Sequence, residues 1–178
     1  MTNKCELVVQ QFRSEIDEIV RAQRDESREA IFFIYEDGRT SNVYKGEATS
    51  ISISRDEEKR IQRQGNIIAS VHTHPTGFDP STIDIMTGVT TNQKFMCIAT
   101  PSSIPKDDKD FVMTCIDLSG MGDIEKQRLL RAMRRATVGI TDIGRFLRKQ
   151  TSIKRFNISG CRSHDVHQGD REATMTKT

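Results

Sequence analysis

His72 and His74 stand two residues apart in Ser70-Val71-His72-Thr73-His74-Pro75, and Ser81 and Asp84 follow in Pro80-Ser81-Thr82-Ile83-Asp84. With only four histidines in 178 residues, this H-x-H pair holds half of the chain's imidazoles. On a strand, side chains two apart share a face, so both rings project together where Pro75 ends the ladder. Imidazole suits zinc, and a catalytic zinc keeps three protein ligands and one open position for water. Asp84 is the expected third ligand, because the intervening loop contains Gly77 and can fold the next helix back onto the strand end. The same ligand types could hold iron with more open positions. Zinc is the expectation, and hydrolysis is the chemistry it suits.

A water activated at such a centre needs a base to take its proton and carry it to the leaving group. Glu29, immediately before an apolar run, is the candidate, since a carboxyl at the edge of a buried strand is desolvated and its pKa rises. Glu26 is the alternative. Ser81-x-x-Asp84 also has the form of a helix capping box. That reading accounts for Ser81 and Asp84 without a metal but leaves the paired histidines unexplained.

The elements that must position these residues follow from hydrophobic period. Val8, Val9, Phe12, Ile16, Ile19 and Val20 recur at helical spacing, which predicts an amphipathic helix over 7–24. Ala30 to Tyr35 reads as a buried strand and Asp37-Gly38 as a hairpin turn. Ser50-Ile51-Ser52-Ile53-Ser54 alternates as a half-exposed strand does. Residues 55–64 have helical character, with Gly65 as a stop. Residues 66–74 form the histidine strand, and a helix runs from Pro80-Ser81 to about Thr90. Lys94 to Thr100 and Phe111 to Leu118 are further strands. A helical region starts at Asp123, and Gly139 and Gly144 weaken its second half. The fold class expected is α/β (α+β): a single mixed β-sheet flanked by helices.

Composition bounds the rest. The length suits one domain, placed at 1–155, with a polar and disordered C-terminal tail over 156–178. No apolar run is long enough to span a bilayer, and the N-terminus lacks a secretory pattern. Cys5, Cys97, Cys115 and Cys161 form no C-x-x-C pair and read as reduced thiols, which places the protein in the cytoplasm. Between Met121 and Arg155 the chain carries ten basic and three acidic residues, a net +7. This is a solvated helix face or a docking surface for an acidic partner. Cys161, His164 and His167 in the tail have metal-ligand types but no fourth partner nearby, and a polar tail is the expected reading.

His72-Thr73-His74-Pro75, Pro80-Ser81 and Asp84, preceded at a distance by Glu29, resemble the signature of the JAMM/MPN-plus metalloproteases, also called JAB domains. The order of elements is similar over roughly 7–150. The resemblance implies a JAB/MPN-like fold and a zinc held by His72, His74 and Asp84. It implies that Glu29 activates the water and that the Ser81 hydroxyl stabilises the oxyanion. The activity implied is that of a peptidase, isopeptidase or deubiquitinase-like enzyme. Its substrate would be a protein, cut at the C-terminus of a ubiquitin-like modifier or sulfur carrier. Two positions depart from the family pattern. Six residues separate His74 from Ser81 where seven are usual, and Phe32 stands where a glycine is usual.

Other zinc classes do not fit: there is no H-E-x-x-H, and no H-x-E with P-C-x-x-C. The competing readings are an inactive JAB-like scaffold and a RadC-like DNA-associated protein. The latter lacks a helix-turn-helix signature or an aromatic-rich basic patch, so nucleic acid is not the expected partner. No membrane partner is expected, and the oligomeric state stays open.

Overall fold

A computed structural model describes residues 3–77, 81–102, 110–136 and 157–166. Helix α1 (Lys4–Glu26) opens with a capping box in which Asn3 accepts the Glu6 N–H and Glu6 reaches back to the Asn3 N–H. It ends at Ser27, which is left-handed at φ 52°. Strand β1 (Ala30–Tyr35) follows, then a turn carried by Gly38 at φ 88°, the short strand β2 (Tyr44–Lys45) and helix α2 (Arg55–Arg63). The centre is β3 (Ile67–Thr73), α3 (Thr82–Thr90) and β4 (Phe95–Pro101). Strand β5 (Phe111–Asp117), helix α4 (Asp123–Ala136), strand β6 (Asn157–Arg162) and a short 3-10 turn (Ser163–Asp165) complete it.

The strands form one mixed sheet in the order β2-β1-β3-β4-β5-β6. Among the described residues only β3 and β4 pair in parallel. A parallel pair needs a crossover rather than a tight turn, and α3 is that crossover. Its first turn therefore starts beside the C-terminal end of β3, where the histidines stand.

Alternation along the strands separates two cores. On one face Phe12, Ile16, Ile19 and Val20 of α1 pack on Phe32, Ile34, Val71, Cys97 and Met113. On the other, Ile85 and Val89 of α3 and Leu129, Leu130 and Met133 of α4 cover Met96, Ile116 and Leu118. The expected α+β class, a mixed sheet flanked by helices, is what these residues build. Phe32 faces α1 and packs near Phe12, at 6.4 Å between ring centroids. The Phe32 side chain therefore points away from the histidine face.

Three expectations are corrected. Residues 50–54 alternate in exposure but join no strand; the segment leads into Ser54, the N-cap of α2. Alternation reports two-sided exposure, and without a neighbouring strand it makes no ladder. The tail expected from 156 onward is also wrong over 157–166. Strand β6 pairs in full register with β5 from Asp117↔Asn157 to Val112↔Arg162, and Val166 joins the α1-side core. An edge strand buries little, so its polar sequence hid it. Residues 167–178 lie outside those described.

The cysteines are not reduced. Cys97 and Cys115 stand directly opposite on β4 and β5 and are bridged. Cys5 in the first turn of α1 is bridged to Cys161 on β6. Both pairs depend on strand register and tertiary packing, which linear spacing does not report. The argument for a cytoplasmic setting rested on free thiols and loses that support. Among the described residues no helix is long and apolar enough to cross a membrane.

Candidate metal centre

Strand β3 carries Val71 and Thr73 toward α1, so Ser70 and His72 face the α3 side. The parallel register runs one step past the strand, with the His74 N–H donating to Ala99 O at 3.2 Å. The His74 ring comes back beside that of His72. Beyond it the Thr100 hydroxyl donates to Gly77 O at 2.9 Å and fixes the start of the connecting loop. Residues 78–80 of that loop lie outside those described.

Ser81 is the N-cap of α3. Its hydroxyl accepts the Asp84 N–H at 3.1 Å, and the Asp84 carboxylate accepts the Ser81 N–H at 2.8 Å. The capping box is therefore real, and it aims the Asp84 carboxylate at the histidines. Asp84 Oδ1 lies 3.3 Å from His72 Nε2, and Oδ2 lies 3.1 Å from His74 Nε2. The two Nε2 atoms are 3.2 Å apart. Capping and ligation are thus compatible: the backbone bonds orient the carboxylate that the imidazoles meet.

These separations test whether a metal fits. Zinc bonds of about 2.0–2.1 Å at tetrahedral angles put neighbouring donor atoms about 3.3 Å apart. The two imidazole nitrogens are close to that spacing, and each meets its own oxygen of Asp84 near it, His72 through Oδ1 and His74 through Oδ2. Among the described residues, His72, His74 and Asp84 are the group of three ligand-bearing side chains whose donor atoms converge, within 4.8 Å of one another. The arrangement could hold a metal ion with one position left for water.

Electrostatics agree with the geometry. Burial pushes the Asp84 carboxyl up, but hydrogen bonds from His72 and His74, the nearby imidazole charge and the Ser81 N–H hold it far below the usual carboxylate range. Asp84 is therefore an anion poised against two imidazoles, as a ligand must be.

Glu29 is 8% exposed and stands two residues before Ile31, the residue of β1 that pairs with His72. Burial pushes its carboxyl above the ordinary value; His74 and His72 pull it down, and Asp84 adds to the rise. Glu26 is a different case. It ends α1, exposed, with its carboxylate 2.9 Å from Lys45 Nζ. Of the two acids considered as base, Glu29 is the one the fold brings to the histidines.

Among the described residues the tail forms no second centre. Cys161 is committed to Cys5, His164 pairs with Asp165 at 3.2 Å, and His167 lies outside the described residues. The sequence reading passed over Thr73 and Gln23, which lie behind the centre on the α1 side of the sheet. The available signal was a polar residue, Gln23, at a buried position of an otherwise apolar helix face. No protein-family model matches the chain, and no curated protein matches it.

Proposed function

We propose that this chain is a zinc-dependent peptidase or isopeptidase with a JAB/MPN-like fold. The observation that carries the reading is the convergence of His72, His74 and Asp84, with donor atoms within 4.8 Å of one another, and a buried Glu29 carboxyl close enough to feel both imidazoles.

Zinc held by His72, His74 and Asp84 would supply a Lewis acid and lower the pKa of a coordinated water. Glu29 takes the proton of the attacking water and delivers it to the leaving amine. Its raised pKa suits both halves of that task, since an acid–base group works best with a pKa near the operating pH. Ser81 supplies a donor. Its oxygen is occupied by the Asp84 N–H, but its own O–H is still available to the oxyanion. The substrate class favoured is a protein with an extended C-terminal segment, such as a ubiquitin-like modifier or sulfur carrier.

The test is cleavage of C-terminal fusions of ubiquitin-like proteins by zinc-loaded protein, with Glu29→Gln as control. The account expects wild type to cut and Glu29→Gln to keep its zinc but lose cleavage. A wild type that binds zinc yet cuts no such fusion would leave a scaffold in place of an enzyme.

A further inference from the structure

Glu29 lies one residue outside β1, where the ladder with β3 gives way. Its backbone turns instead toward the loop after β2. The Glu29 N–H donates to Glu47 O at 2.9 Å, and the Gly46 N–H donates to Glu29 O at 2.7 Å. The next amide, Ala30, lies opposite Thr73, the residue between the two histidines. Its N–H donates to the side-chain hydroxyl Oγ1 of Thr73 at 3.0 Å, and that hydroxyl donates to Gln23 Oε1 at 3.1 Å. Thr73 is fully buried and Gln23 nearly so.

Two features make this more than core satisfaction. The hydroxyl is both acceptor and donor, so its proton has one direction and its lone pair another; the relay is oriented. It also joins the residue beside Glu29 to the residue between His72 and His74 in one bond, and a second bond anchors both to Gln23 of α1. We infer that Thr73, held by Gln23, is a positioning residue that sets the distance of the Glu29 carboxylate from the His72–His74–Asp84 centre. The inference rests on the metalloenzyme reading. It assigns to the central threonine of H-T-H a task on the face opposite the ligands.

Thr73→Val removes the hydroxyl at nearly constant shape, and Thr73→Ser keeps it. Gln23→Met removes the far anchor and serves if Thr73→Val does not fold. In metal-free protein, amide exchange at Ala30 should speed up about tenfold in Thr73→Val, the worth of one buried hydrogen bond, and return toward wild type in Thr73→Ser. Cobalt(II) then replaces zinc as a paramagnetic probe. Its uptake should be equal in all forms. Relaxation of the 13C-labelled Glu29 carboxyl by cobalt should weaken in Thr73→Val and recover in Thr73→Ser. With a cleavable fusion, kcat should fall about 10²-fold at unchanged KM, as expected for a misplacement of about 1 Å.

Unchanged relaxation at Glu29 in Thr73→Val overturns the inference, even if Ala30 exchange rises, because the hydroxyl would then serve stability alone. Failure of the wild type to take up cobalt refutes the metal reading itself, and is seen before any variant is compared.

Discussion

The bridge between Cys5 and Cys161 closes nearly the whole chain, and removing it has a calculable effect. The perturbation is Cys5→Ala with Cys161→Ser: alanine at the fully buried end, serine at the half-buried one. A cross-link stabilises mainly by restricting the unfolded chain, and for a separation of 156 residues the chain-entropy relation gives about 5 kcal/mol at 25 °C. Measured values usually fall below that relation, at about 2–4 kcal/mol. The strand itself should persist. Strand β6 keeps its ladder to β5, the Arg13 guanidinium still donates to Ser163 O at 2.9 Å, and the Cys5 N–H still donates to Ser159 Oγ at 3.1 Å. The effect should therefore appear as global stability rather than local melting. For a domain of this size each kcal/mol moves Tm by about 2–4 °C, so a fall of roughly 5–15 °C is expected. The assay is urea and thermal unfolding of wild type and variant, each with and without dithiothreitol. Unreduced wild type should take up no maleimide in denaturant. Four maleimides bound per unreduced chain, or equal unfolding midpoints for wild type and variant, would refute the reasoning.

Three further outcomes are expected. Ser81→Ala should cost about 1 kcal/mol as a lost N-cap while keeping zinc, and should lower turnover about 10²–10³-fold as a lost oxyanion donor; full turnover after the same stability loss would reduce Ser81 to a cap. Glu29→Gln should stabilise the metal-free protein at neutral pH, since an acid whose folded pKa is raised above 4.5 contributes stability below that value and loses it as pH rises through the folded pKa. Urea midpoints of the two forms should therefore differ at pH 7 and converge at acidic pH; equal midpoints at pH 7 count against a buried carboxyl. Zinc should raise the Tm of wild type in proportion to the logarithm of free zinc, and not that of Asp84→Ala.

Much of this architecture was legible in the sequence because it is written in local period. Val8 to Val20 announced α1, Ala30 to Tyr35 announced β1, and Pro75 and Ser81 bracketed the turn between β3 and α3. The converging group of His72, His74 and Asp84 was legible for a similar reason: period 2 on a strand and a capping box on the next helix are short-range rules, and together they bring three side chains to one point. What depended on pairing was not legible. Cys97 and Cys115 are 18 residues apart in sequence yet opposite in register. Strand β6 has no apolar stripe, so only its ladder to β5 reveals it. Conversely, Ser50 to Ser54 has the pattern of a strand without a partner to complete it. Thr73 was visible as the middle of H-x-H, but its hydroxyl acquires meaning only when Ala30 and Gln23 arrive from distant segments.

The proposed activity requires that His72, His74 and Asp84 hold a metal ion. Its most direct test is the zinc content of purified wild type beside Asp84→Ala, measured by elemental mass spectrometry after reconstitution and desalting. About one zinc per chain is expected in wild type and almost none in the variant, as for a site of three protein ligands and one open position. A wild type that retains no zinc would contradict it, and would leave Ser81 and Asp84 as a helix cap beside two histidines.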